Sequence, residues 1–233
     1  TCEGKNPGKA NATTPEAQAI KEAKAKWDKK QTLGYTTDIN AVDSVAFKKP
    51  MKGDKFKDRE GEVVYPVFVQ DKLNGVRCQN ESKGALSTGG KLFHTIPHIR
   101  AALAPIFEKH PDAFIDGEAY NHAMKHRLNR LVEIVSVVYQ PKDLTPEMLA
   151  ESQELVKLYV FDGYGFNGIT KETPWVERYA AVNALVKEVQ KEFKVGRHLV
   201  MHPYWIAKDK AELKAALAKN REEGGEGFMI RWG

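Results

Sequence analysis

Lys72 follows the apolar run Val67-Phe68-Val69 closely and stands just before Asn74-Gly75, so a lysine sits where a strand enters a tight turn. A cation there is costly unless it is paired or used. If used, it acts as a nucleophile through its neutral amine, because an ammonium has no lone pair to offer. Two carboxylates have comparable settings. Glu118 lies within Ile115-Asp116-Gly117-Glu118-Ala119, and Glu226 follows Gly224-Gly225 and opens the stretch 226–231. Each stands beside a glycine among apolar neighbours, where a few carboxylate oxygens leave room for phosphates and water around Mg²⁺. The plainer reading puts Asp116 and Glu118 on opposite strand faces, one solvated and one paired to an arginine. His122 and His126 are four apart but lack a HExxH glutamate or a third ligand, so they read as surface or nucleic-acid-facing residues.

The elements that must position these groups can be read from periodicity. Residues 1–13 are small, polar and glycine-rich, a flexible or loosely docked tail. Thr14 then caps a helix that starts with Pro15 and runs to about Leu33, with Lys21, Lys24, Lys26, Lys29 and Lys30 around it. Strands are expected over 63–69 and 75–79, joined through the Asn-Gly turn, then near Leu86, over 114–120, 158–161, 199–206 and 226–231. Helices are expected over 99–108, 127–139 and 145–156, from Thr173-Pro174 through Phe193, and after the cap Asp209. Trp27, Trp175 and Trp205 read as core or interface anchors, and Cys78 as a small buried residue. Early hairpins and irregular alternation of strands with helices argue for α+β with antiparallel sheets over a doubly wound parallel fold.

The 233 residues carry 36 Lys and Arg against 31 Asp and Glu, a formal charge of +5 that tolerates a polyanionic partner without requiring one. No apolar run approaches a membrane span, and the opening Thr1-Cys2-Glu3-Gly4-Lys5 lacks a signal core. Two cysteines, Cys2 and Cys78, supply neither a disulfide framework nor a zinc pattern, so the expected setting is the reducing cytoplasm, a host's if the source is viral.

Four short stretches, in order, resemble the covalent nucleotidyltransferases: ATP-dependent DNA ligases, RNA ligases and capping enzymes. Lys72-Leu73-Asn74-Gly75-Val76-Arg77 resembles their motif I, Phe114-Ile115-Asp116-Gly117-Glu118 motif III, and Leu158-Tyr159-Val160-Phe161-Asp162 motif IIIa. Glu226-Gly227-Phe228-Met229-Ile230-Arg231 resembles motif IV. The tail, the basic helix and the stretches Asn121-His122 and Ile134-Val135-Ser136 look most like phage-type ATP-dependent DNA ligases.

The resemblance implies an ATP-grasp-like nucleotidyltransferase domain of antiparallel sheets flanked by helices, over 35–233, behind a tail and basic helix at 1–34. It implies that Lys72 takes AMP from ATP, that AMP passes to a 5′-phosphate at a nick, and that a 3′-OH then seals the strand, in DNA replication or repair. Gln70, Asp71, Leu73, Asn74, Arg77, Glu118, Phe161 and Arg231 would contact ATP or AMP, with Gln70 reading the adenine amino group and Phe161 stacking on the base. Glu118 and Glu226 would hold Mg²⁺. The implied partner is a nicked duplex, most readily DNA, met by a monomer away from membranes. RNA or hybrid ends, or a basic binding module without chemistry, are the alternatives. Asn74 replaces the usual Asp, and Ser87-Thr88-Gly89 replaces the usual Ser-Arg of motif Ia. The family's motif V and oligonucleotide-binding barrel lie past motif IV and are not within the 233 residues.

Overall fold

A computed structural model describes residues 2–32, 51, 53–136 and 138–231. The chain divides into two units, 1–49 and 50–233. In the first, helix α1 (Pro15–Thr32) starts where Thr14 Oγ1 accepts the Ala17 amide at 3.2 Å. The segment before it docks back on this helix. Lys5 Nζ meets Glu22 at 3.1 Å, and Thr13 Oγ1 donates to Gln18 Oε1 at 3.0 Å. Trp27 is 51% exposed, so within the described residues it is not a core anchor. The expected end of this helix at Leu33 and Gly34 lies outside the described residues.

The second unit holds two sheets. Strands β1 (Val67–Asp71), β7 (Trp205–Ala207) and β8 (Phe228–Arg231) form a three-stranded antiparallel sheet in the order β7-β1-β8. Strands β2 (Val76–Glu81), β3 (Gly84–Leu86), β4 (Phe114–Tyr120), β5 (Lys157–Tyr164) and β6 (Leu199–Met201) form a five-stranded sheet in the order β3-β2-β4-β5-β6. Among the described residues, only β5 and β6 pair in parallel. Helices α2 (Phe56–Arg59), α3 (Pro97–Lys109), α4 (Leu128–Ile134), α5 (Pro146–Leu155), α6 (Trp175–Glu192) and α7 (Lys210–Glu222) connect and flank them. The expected α+β class with antiparallel sheets is what the chain adopts.

Two expected continuous features are split between the sheets. The strands flanking Asn74-Gly75 are not a hairpin: β1 belongs to one sheet and β2 to the other, so the turn with Lys72 is a crossing point. Likewise 199–206 is not one strand. His202-Pro203-Tyr204 carries the chain from β6 to β7, and proline lacks the amide that a continuing ladder needs. The stretch 63–66 is not a strand, and the helix expected over 127–139 is shortened to α4.

The larger core fills one face of the five-stranded sheet. Ile115, Ala119, Leu158 and Val160 meet Ile99, Leu103 and Ile106 of α3 and Val182, Val186 and Val189 of α6. Those helix positions repeat at three- and four-residue steps, the spacing that keeps one face inward. A smaller core packs Val67, Val69 and Ala207 with Leu213 of α7. Val67 and Val69 point to this core, which leaves Phe68 and Gln70 for the opposite face of β1.

Candidate active site

The Lys72 turn lies where β1 leaves its sheet. The pairing of Asp71 with Phe228 brings β8 alongside, and the Lys72 amide donates to Gly227 O at 2.8 Å. That register places Glu226 next to the lysine, and the Glu226 carboxylate forms an ion pair with the Lys72 ammonium. Both side chains are substantially exposed, so the pair adds at most about 1 kcal/mol to stability. Its stability value does not explain why it is there.

Across the cleft is the polar face of the five-stranded sheet. Arg77 pairs with Glu118 and Gln79 with Asp116 between β2 and β4, so Asp116 and Glu118 share a face rather than taking opposite ones. Arg77 donates from Nε and Nη2 to Asp116 at 3.1 and 2.6 Å and from Nη1 to Met51 O at 3.0 Å. Burial pushes the Asp116 carboxyl up, against the pull of Arg77. Glu118 has no hydrogen bond or ion pair among the described residues, and burial, with Asp116 and Glu226 adding to it, pushes its carboxyl up to about 8. Arg77 and Lys72 oppose that shift. A partly buried carboxyl without a partner is a site prepared for a cation or a hydroxyl donor.

Gly75 makes that approach possible. A Cβ there would lie 2.6 Å from Glu118 Cγ and 2.8 Å from the carbonyl oxygen of Ala119. Phe161 is presented by a bulge. Asp116 pairs with Asp162 but Gly117 with Val160, which leaves Phe161 as the extra residue on β5. Its ring has the Arg77 guanidinium 5.4 Å and the Arg231 guanidinium 6.0 Å from its centre. Trp175 Nε1 fixes the bulge by donating to Phe161 O at 3.1 Å.

Not every residue expected to meet nucleotide faces the cleft freely. Gln70 is 2% exposed; its amide nitrogen donates to His202 O at 2.8 Å, and its oxygen accepts from Arg231 Nη1 at 2.6 Å. The Asp71 carbonyl is held by His202 Nε2 at 2.8 Å, and the Leu73 side chain packs on the larger core. Asn74 donates to the carbonyl of Lys125 at 3.2 Å. Arg231 has no carboxylate partner among the described residues; burial lowers it to about 10, and it lies 4.6 Å from the Trp175 ring centre.

Asp116 holds Arg77, the arginine pairing that the plainer reading gave to one of the two carboxylates. Other contributors were missed by sequence reasoning: buried Asp162 receives both Nε and Nη2 of Arg178 at 2.8 and 2.7 Å. His202 links the two sheets. A signal existed for Asp162, an acid next to the expected stacking aromatic; none marked His202 or Arg178. Among the described residues, no group of three or more His, Cys, Asp and Glu side chains is arranged to hold a metal. The oxygens available are the pair Glu118 and Glu226, whose remaining ligands would have to be phosphate and water. Unpartnered Glu118 fits that requirement.

Scans against protein-family models and curated proteins return no match. Solved structures do match. A structure named Pmar-Lig_Pre superposes with a TM-score of 0.60 at 20% identity, covering 83% of this chain and 46% of its own. A Lig E DNA ligase gives 0.58 at 14% identity, covering 79% and 61%. The ATP-dependent DNA ligase of bacteriophage T7, in complex with ATP, gives 0.52 at 13% identity, covering 78% and 61%. The chain has the fold of a DNA ligase adenylation domain. It spans about half to three-fifths of the solved chains it matches. Around the Lys72 turn and the Phe161 ring, Lys72 meets Glu226, Gly75 meets Glu118, and Arg77 and Arg231 approach Phe161. No helix among the described residues is long and apolar enough to cross a membrane.

Proposed function

We propose that the chain is the adenylylating core of an ATP-dependent polynucleotide ligase, with Lys72 as its nucleophile. The observation that carries this reading is that the Lys72 turn meets two carboxylates, Glu226 through an ion pair with Lys72 and Glu118 through its close approach to Gly75. The Lys72 amine attacks the α-phosphorus of ATP; a P–N bond forms, the bond to the bridging oxygen breaks, and pyrophosphate leaves. Before attack the Lys72 ammonium passes one proton to water, and the nitrogen releases a second to water as the P–N bond forms. AMP then passes from Lys72 to a 5′-phosphate, and an adjacent 3′-OH displaces it to join the strand.

Arg77 and Arg231 supply fixed cations beside Phe161, on whose ring the purine stacks. Glu118 and Glu226 would hold Mg²⁺, which supplies neutralisation of the phosphate charge. Asp71 and Leu73 contribute as backbone and anchor of the nucleophile turn. Gln70 reaches the base through its second oxygen lone pair, because the first is used by Arg231. The basic helix α1, within the 1–34 segment, contacts the phosphates of a nicked DNA duplex. The protein works as a monomer in the cytoplasm.

Incubation with α-labelled ATP and Mg²⁺ should give an alkali-stable adduct, labile to acid and to acidic hydroxylamine as a P–N bond is, that peptide mapping places on Lys72. An adduct on another lysine, or none in a folded protein, rejects the assignment. Sealing assays on nicked DNA, RNA and hybrid duplexes then decide the sugar, with DNA expected to be joined fastest.

A further inference from the structure

Outside the sheets, three segments meet around the Lys72 turn, and Lys125 ties them together. The carbonyl of Lys125 accepts from Asn74 Nδ2 at 3.2 Å, and its Nζ donates to the carbonyl of Glu223 at 3.4 Å. The next residue, His126, lies against Gly224. That glycine has φ +78°, and a Cβ on it would come 2.9 Å from His126 Cε1. Two residues later Glu226 meets Lys72, and Gly227 O accepts the Lys72 amide at 2.8 Å. The contacts therefore close a ring from Asn74 through Lys125 to Glu223, along the loop to Gly227, and back to Lys72.

The segment at the centre of this ring is itself well fixed. Asn121 accepts the Ala123 amide at 2.9 Å and donates to Leu155 O at 2.8 Å. Met124 is buried, and the Arg127 amide returns to Met124 O at 2.7 Å. Neither the Asn74 nor the Lys125 side-chain bond belongs to a strand ladder, so β1–β8 pairing alone does not set how the turn and the Glu226 loop face each other.

We propose that segment 121–127 is a clamp, with Asn74 and Lys125 as positioning residues, that aligns the Lys72 nitrogen with Glu226 for adenylyl transfer. The alignment role rests on the function proposed above. The side chain at 74 has to supply an N–H. A carboxylate offers only acceptors and would face the Lys125 carbonyl oxygen without a bond.

The test uses Asn74→Asp, Asn74→Ala, Lys125→Met and the double variant Asn74→Asp/Lys125→Met, each checked for folding by thermal melting. Asn74→Asp and Asn74→Ala should lower the maximal single-turnover rate of adduct formation by ~10–100-fold, with half-saturating ATP within about threefold, because small misplacements act on the reacting geometry. The double variant should fall less than the product of the single effects, because both changes break the same ring. Full multiplicativity, or a loss confined to melting temperature with rate per folded molecule unchanged, overturns the clamp.

Amide hydrogen exchange reads the same ring without chemistry. Asn74→Asp should accelerate exchange not only at Lys72 but also at Gly225, which lies in the 223–227 loop of the ring and whose amide is bonded to Asn220 O of α7 at 2.7 Å. Acceleration confined to 72–75 overturns the proposal. Acceleration reaching Gly225 in a protein whose wild type forms no adduct supports the bracing and rejects the assigned chemistry instead.

Discussion

The Lys72 ammonium and the Glu226 carboxylate form an ion pair just past the paired ends of β1 and β8, both beyond the Asp71–Phe228 register pair. Removing either charge separates its roles. Lys72→Ala should abolish the AMP adduct and leave the melting temperature within a few degrees of wild type, because the exposed pair contributes little to folding. Glu226→Gln should keep a slow adduct but raise the Mg²⁺ concentration needed for half-maximal rate. A Mg²⁺ titration of single-turnover labelling checks this, and an unchanged midpoint removes Glu226 from the metal.

Glu118 makes the protein's stability depend on pH in a defined direction. Its carboxyl moves from an ordinary value of 4.5 to about 8 in the folded chain, chiefly through burial. Between those values the unfolded chain has released the proton and the folded one still holds it. Its contribution therefore falls as pH rises from about 4.5 and levels off above about 8. Urea midpoints across that window should decline in wild type and decline less in Glu118→Gln. A cation bound at Glu118 displaces the proton, so Mg²⁺ should stabilise wild type more at pH 8 than at pH 6. An equal gain at both pH values would show that Glu118 does not bind the ion.

Helix α1 carries lysines on several sides and has no strongly apolar face to dock, with Ile20 and Trp27 both exposed. Replacing Lys24, Lys26, Lys29 and Lys30 by Ala should weaken binding to nicked duplex. The slope of log affinity against log salt should flatten by up to about 0.9 per lost phosphate contact. An unchanged slope makes the helix a solvated basic face.

How far the sequence could be read depends on the range of the interaction. Local patterns were legible: Thr14, Thr145 and Asp209 all accept helix-start amides as expected, and the 3- and 4-residue spacing of Val182, Val186 and Val189 does face the core. The strand carrying Asp116, Gly117 and Glu118 was also visible. What failed was assignment of strands to sheets. Asn74-Gly75 has hairpin chemistry, yet the chain there passes between sheets, a choice made by pairing with β8 about 160 residues later. The commitment of Gln70 to Arg231 and His202 was equally hidden, because its partners are 161 and 132 residues away. The bulge at Phe161 leaves no local trace either, being set by register against β4.

Arg178 and Asp162 form a buried bidentate pair beneath the Phe161 bulge, and Arg178 Nη1 also caps the Lys171 and Thr173 carbonyls at 3.1 and 2.6 Å. Arg178→Met should cost about 3–5 kcal/mol, because it leaves a buried carboxylate without its cation. Replacing both, Arg178→Met with Asp162→Asn, should recover part of that loss. Denaturant unfolding of the three proteins checks this, and a double variant no better than Arg178→Met would deny that the uncompensated charge is the cause.

Gly75→Ala tests the cleft where its two sides come closest. The added methyl would lie 2.8 Å from the Ala119 carbonyl oxygen, which belongs to β4 and cannot move without disturbing its pairing with Val76. It would also lie 2.6 Å from Glu118 Cγ, which can rotate away. Two costs follow. The backbone crowding should destabilise the fold by about 1–3 kcal/mol, the usual range for overpacking. Displacement of Glu118 should slow adduct formation beyond the loss of folded protein and weaken the Mg²⁺ stabilisation at pH 8. The combination Gly75→Ala with Glu118→Ala removes the side chain that the methyl strikes. It should regain stability relative to Gly75→Ala, yet adduct formation should stay as low as in Glu118→Ala alone. If the single Gly75→Ala variant is instead as active per folded molecule as wild type, the close approach of the lysine turn to Glu118 has no part in the chemistry.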